Sequence, residues 1–257
     1  MEIKKLLYAT DFEEPDFAQV ESLLVFRKVG LEEVIFLHTS GLEDWGKRVV
    51  DHGLKSRTLA GEGPLLSRIL DATQKEKISI VAVNMKREGK KVFSGSPVKN
   101  LLRSSSVPLI VMNQDAQTYA SGEKGIFNHV VFAADWSPVS EAILKALLNF
   151  GEITEMLEIV NVINKKLSVR DIRNLKMKLV ETRKKFLDKG IDAEAHVYAG
   201  KPAEEIMLAA TDYKATSIIM GTSNKSSFEG LFSRSCSYGV AKEAAVPILF
   251  IPFEKGV

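Results

Sequence analysis

The chain has 257 residues, 45% of them hydrophobic and 26% charged, with 35 Lys and Arg against 33 Asp and Glu for a net charge of +2. That content supplies a packed core and excludes global disorder, and the length fits one large domain or two of about 130 residues. The near balance of charge lacks the surplus cation of a protein whose main task is gripping nucleic acid, and the lone Cys236 excludes both an internal disulfide framework and a multi-cysteine zinc site.

Met1 to Lys5 runs straight into Leu6-Leu7-Tyr8-Ala9 and the acidic Asp11-Phe12-Glu13-Glu14. This is too short for a signal-peptide core, and no segment reaches the ~18 uninterrupted apolar residues of a bilayer span. The expectation is a reduced, cytoplasmic protein with no membrane partner.

In chain order, the first predicted strands are Ile3–Ala9, Glu33–Leu37, Ile78–Val83 and Val107–Met112. A second set follows at His129–Ala133, Leu157–Val162, Ser217–Met220 and Val246–Ile251. Each is short, rich in β-branched residues and almost continuously apolar, as in strands of a parallel sheet buried on both faces. Helical stretches intervene, among them Ser140–Leu148, Ser168–Lys189 and Ser235–Ala244. Strand and helix alternate, so the class is α/β with parallel sheets and right-handed crossovers.

The two sets are copies. Asp11 and Asp135 stand 124 residues apart, and His38-Thr39 and Asn161-Val162 stand 123 apart. Gly63-Pro64 and Gly200-Lys201-Pro202 align at 137, as do Asn84 and Gly221; Ser96 with Ser235 and Pro108 with Pro247 align at 139. The larger step falls where the second copy has the long amphipathic helix Ser168–Lys189, with Val169, Ile172, Leu175, Leu179 and Phe186 near helical spacing. The first copy has only Gly41–Thr58 there, so its second helix is shortened or replaced by a loop. The expected units are residues 1–113 and 126–257, joined by a polar, Gly-containing linker at 114–125.

Ligands of open parallel sheets sit beyond the carboxyl ends of the strands, where strand order reverses. In the second copy those positions hold Asp135-Trp136-Ser137, Asn161-Val162, Gly200-Lys201-Pro202 and Gly221-Thr222-Ser223-Asn224. Ser235 opens the following helix, whose first N–H groups make an anion site. Asp135 is suited to accept hydrogen bonds from a ribose or an adenine amine.

Over both copies this pattern resembles the universal stress protein family. The resemblance rests on a strand ending in Asp (Asp11, Asp135), the Gly200-x-Pro202-x-x-x-Ile206 helix start, and the closing strands Val107-Pro108-Leu109-Ile110-Val111 and Val246-Pro247-Ile248-Leu249-Phe250. It implies two tandem doubly wound α/β domains with parallel five-stranded sheets, Rossmann-like and similar to the adenine nucleotide alpha hydrolases. Last strands pair in the family, so Pro108–Met112 and Pro247–Ile251 are expected to face each other in an intramolecular pseudo-dimer, which is open to further association as a homodimer.

Nucleotide-binding members carry Gly-x2-Gly-x9-Gly-Ser/Thr after strand four. The second copy reads Gly221-x2-Asn224-x9-Arg234-Ser235, keeping the first glycine and the serine. Asn tolerates the left-handed region that the middle glycine supplies. Arg234 either blocks the backbone's approach to phosphate or grips it through the guanidinium. In the first copy ten residues separate Asn84 from Gly95-Ser96, two fewer than in the family. The resemblance implies ATP or AMP, with Mg if ATP, held in the second copy by Asp135, Val162, Met220, Gly221, Asn224, Arg234, Ser235 and Cys236. Asp11, Thr39, Asn84, Gly95 and Ser96 form the weaker first-copy set. It implies a regulatory role in the stress response, with an unidentified protein partner and at most slow ATP hydrolysis; the alternative is a scaffold that binds no nucleotide.

Plainer roles stand beside these. Asp11 and Asp135 suit helix capping, Gly200-Lys201-Pro202 suits a simple helix start, and Ser235 suits an N-cap. The helix dipole would lower the Cys236 thiol pKa and favour redox sensing, but a small side chain packed under the loop is the simpler role. Trp136 suits base stacking or loop packing. His38, His52, His129 and His196 are scattered without metal spacing, and no Ser-His-Asp order, carboxylate pair or Walker-type run is present.

Overall fold

The computed structural model describes residues 2–10, 16–37, 43–60, 62–85, 97–113, 125–222 and 234–252. The first half runs β1 (Lys5–Thr10), α1 (Phe17–Leu23), β2 (Glu33–Leu37), α2 (Glu43–Asp51), β3 (Lys55–Leu59), α3 (Leu65–Lys75), β4 (Ile80–Met85), α4 (Pro97–Ser104) and β5 (Leu109–Asn113). The second runs β6 (His129–Ala133), α5 (Pro138–Leu147), β7 (Met156–Ile163), α6 (Val169–Leu187), β8 (Asp192–Ala199), α7 (Pro202–Asp212), β9 (Ser217–Thr222), α8 (Arg234–Glu243) and β10 (Ile248–Pro252).

The strands join in one ten-stranded sheet of order β3-β2-β1-β4-β5-β10-β9-β6-β7-β8. Each half is parallel and ordered 3-2-1-4-5, and a single antiparallel pair between β5 and β10 fuses them. Ile248 lies opposite Val111, Leu249 opposite Ile110 and Phe250 opposite Leu109. The expected facing of the last strands is therefore a continuous ladder. Both strands begin one residue after their prolines, which lack an N–H but still accept through carbonyl oxygen: Val81 donates to Pro108 and Ile218 to Pro247, each at 2.9 Å.

Helices cover both faces because strand residues alternate between two apolar layers. Leu6, Tyr8, Val130 and Phe132 face one layer, under α1, α2, α5 and α6; Leu7, Ala9, Val131 and Ala133 face the other, under α3, α4, α7 and α8. The first layer runs through both halves, with Phe26 packed 5.0 Å from Phe127 and 6.2 Å from Phe150. Gly125 enters this contact at φ +57°, and a Cβ there would meet the Ser22 carbonyl oxygen at 2.6 Å. The last residue assigned to the linker is thus packed against the first half, while residues 114–124 lie outside the described residues.

The second helix of the first half is present but short, nine residues in α2 against 19 in α6. The strand ends differ from expectation. Strands β7 and β9 continue to Ile163 and Thr222, so Asn161, Val162 and Gly221 lie inside strands, not beyond them. Parallel pairing explains the extra length: Val162 faces Tyr198 on β8, and Gly221 faces Ile251 on β10. The long α6 is started by Ser168, whose hydroxyl accepts from the Asp171 N–H at 3.2 Å while the Asp171 carboxylate accepts from the Ser168 N–H at 3.0 Å. Its inward face is Leu179, Thr182 and Phe186; Val169 and Ile172, expected on the apolar face, are exposed.

Candidate functional site

In the second half strand order reverses between β6 and β9. The segment leaving β6 there is held by three neighbours. Ala134 donates to the Val160 carbonyl at 2.8 Å, the Asn161 side-chain amide donates to the Ala134 carbonyl at 2.8 Å, and the Asp135 N–H donates to the Ser140 hydroxyl at 3.3 Å. The Asp135 carboxylate accepts from the Ser137 N–H at 3.0 Å and from its hydroxyl at 2.6 Å. Ser137, followed by Pro138, is the N-cap of α5. Asp135 thus organises the turn ahead of the helix without capping it.

Between them, Asp135 and Trp136 sit across from Asn174 and Lys178 of α6, with Asn161 and Val162 of β7 completing a cleft of about 800 Å³. That volume suits a nucleoside-sized ligand. Trp136 takes φ +51°, rare for a bulky residue, and its indole N–H donates to the Thr182 hydroxyl at 3.3 Å. Charges of both signs line the walls, with Lys165, Lys166 and Lys178 facing Asp135, Asp171 and Glu181.

The remaining expected residues divide by environment. Val162 and Met220 are fully buried in the sheet. Gly221 is close-packed, since a Cβ would stand 2.5 Å from Val139 Cγ1. Arg234 is the first residue of α8, followed by Ser235 and Cys236, while Asn224 lies outside the described residues. Cys236 is buried, and its thiol is pushed up to about 12, first by burial and then by the Asp135 carboxylate. The expected lowering by the helix dipole is overturned, because loss of solvent around the thiol outweighs it.

The first half is built differently at the same point. Asn84 is the last residue but one of β4 and its side chain is buried; its amide donates to Gln19 Oε1, which also accepts from the Tyr8 hydroxyl at 3.2 Å. Burial raises the Tyr8 phenol well above its ordinary value. Asn84 Oδ1 has no hydrogen-bond partner. The equivalent second-half residues are the apolar Phe132 and Ile143 and the small Gly221. Asn84 is therefore turned into the core toward α1; Asp11, Thr39, Gly95 and Ser96 lie outside the described residues.

One cluster was not anticipated. Glu158, buried on β7, accepts from His129 Nε2 at 2.8 Å and His196 Nε2 at 2.6 Å, and the Tyr213 hydroxyl meets His196 Nδ1 at 3.0 Å. A lone acid inside a mostly apolar strand was the available signal.

Two halves of order 3-2-1-4-5 define a doubly wound α/β protein, with its cleft beyond the carboxyl ends of β6 and β7 and against α6. Residues 127–252 match the model of the universal stress protein family, so the second half is a domain of that family. A universal stress protein from Archaeoglobus fulgidus DSM 4304 superposes over 96% of both chains with a TM-score of 0.77 at 20% identity. A putative universal stress protein from Pseudomonas aeruginosa UCBPP-PA14 aligns with 97% of this chain and 93% of its own at TM-score 0.67 and 13% identity. A protein of unknown function from Pseudomonas aeruginosa PAO1 aligns at TM-score 0.66 and 12% identity over 97% and 92%. These likenesses extend the same fold over the first half. Comparison with curated proteins returned no match.

Proposed function

We propose that the second half binds an adenine nucleotide, ATP or AMP, and that the chain is a cytoplasmic regulatory module whose surface changes with nucleotide occupancy. The observation that carries this reading is the position of Asp135, which lines the 800 Å³ cleft just past the end of β6, the strand that neighbours β9 where strand order reverses. A carboxylate there accepts from ribose hydroxyls or an adenine amine, while the first N–H groups of α8 face phosphate. Gly221, Asn224, Arg234, Ser235 and Cys236 surround the phosphates in this reading, with Mg accompanying ATP, and Val162 and Met220 back the base. Binding shifts the population of the second half's conformers, changing what is offered to a protein partner. No helix among the described residues is long and apolar enough to cross a membrane.

A scaffold that binds no nucleotide is the second reading, favoured by the exposed apolar side chains Val169, Met177 and Val180 on α6. Mass spectrometry of protein unfolded directly after purification separates the two. Co-purified ATP or AMP, with a thermal shift on adding it back, supports the first; neither signal at millimolar nucleotide leaves the scaffold.

A further inference from the structure

The residue after Asp135 is a tryptophan, and it is held in an unusual way. The Asp135 carboxylate draws the Ser137 N–H back across it, leaving Trp136 at φ +51°. Its indole N–H is anchored on Thr182, and the ring packs against the core layer that includes Leu179. Lys178 Nζ stands over the ring, 5.6 Å from its centroid. Trp136 and Lys178 both line the cleft, so the cleft's one aromatic wall among the described residues is covered by a flexible ammonium group.

A surface Lys–Trp contact is weak and exchangeable, whereas a planar ring on an indole face gains both area and π-stacking. We propose that Trp136 is the stacking platform of this cleft and Lys178 its movable cover: a flat heterocycle displaces the ammonium from the indole face and stacks in its place, while the phosphate is held apart from it, at the start of α8. The ligand class is a planar base carrying phosphate, and the two ends are recognised by separate residues. This rests on the nucleotide reading above and assigns how that site grips its ligand. Stacking is tolerant of base identity, so recognition at Trp136 selects for a ring, leaving the choice of base to Asp135.

The test uses the full chain with AMP, adenosine and ribose 5-phosphate in calorimetry. Trp136→Gly, which also suits the positive φ, is expected to weaken AMP and adenosine by about tenfold and leave ribose 5-phosphate unchanged, while Trp136→Phe retains most of the affinity. Lys178→Ala, a surface change, uncovers the ring and is expected to strengthen adenosine and AMP by about two- to fivefold while leaving ribose 5-phosphate unchanged. The chain has two tryptophans, and Trp45 is buried in the first half, so Trp45→Phe leaves Trp136 as the reporter of ring binding. AMP binding with silent Trp136 fluorescence and unchanged Trp136→Gly affinity overturns the platform alone. No binding of any of the three to the unaltered chain overturns both the platform and the nucleotide reading.

Discussion

Gly221 and Val139 are in such close contact that a methyl group between them has no room: a Cβ on Gly221 would lie 2.5 Å from Val139 Cγ1 and 3.3 Å from Ile143 Cδ1. The first glycine of the nucleotide motif is thus also the seat of α5, the helix whose N-cap Ser137 holds Asp135. Packing and ligand geometry share one residue. In the first half the same position is Asn84, and α1 supplies Gln19 in place of Ile143. The core there accommodates a side chain by becoming polar.

Gly221→Ala is accordingly expected to destabilise the protein by about 1–3 kcal/mol through overpacking. It should also weaken ligand binding by moving α5 and, with it, Asp135. Denaturant unfolding checks the first effect and calorimetry the second. Pairing the change with Val139→Ala should restore much of the stability, because it removes the obstructing methyl groups.

Glu158 ties three strands of the second half together through His129 on β6 and His196 on β8. An ionised carboxylate only accepts, so each Nε2 carries its proton toward a different oxygen. Removing the acid leaves two imidazoles without their acceptor. Glu158→Ala should cost about 3 kcal/mol, measured by urea unfolding. His196→Ala in the same background should then cost less than it does alone.

Cys236 sits near a helix start yet is predicted to be inert. At pH 8 the native protein should resist iodoacetamide and react only once unfolded. Its thiol is pushed up to about 12 from an ordinary value of 9.0. The native state therefore keeps a proton that the unfolded chain loses, and the associated stability is fully present below about pH 9 and declines as pH rises toward 12. Thermal unfolding of Cys236→Ala should show a shallower alkaline decline than the unaltered chain.

The repeated strands were legible because burial on both faces imposes a run of apolar residues that little else produces, and the duplication could be followed from Asp11 and Asp135 to Pro108 and Pro247. The start of α6 was legible too, since Ser168 and Asp171 act within one turn. What could not be read depends on contacts between distant segments. The inward turn of Asn84 requires Gln19, 65 residues away. His129 and His196 look scattered because the residue that unites them, Glu158, lies on the strand between theirs. The strand ends at Ile163 and Thr222 were set by neighbours β8 and β10, beyond the reach of local pattern.

Calorimetric titration of ATP and AMP into the full chain tests the central claim most directly. One nucleotide bound per chain is predicted, with Asp135→Ala reducing affinity by about tenfold or more as a charged hydrogen-bond acceptor is lost. Two bound per chain, affinity indifferent to Asp135, or no heat at millimolar nucleotide would contradict it.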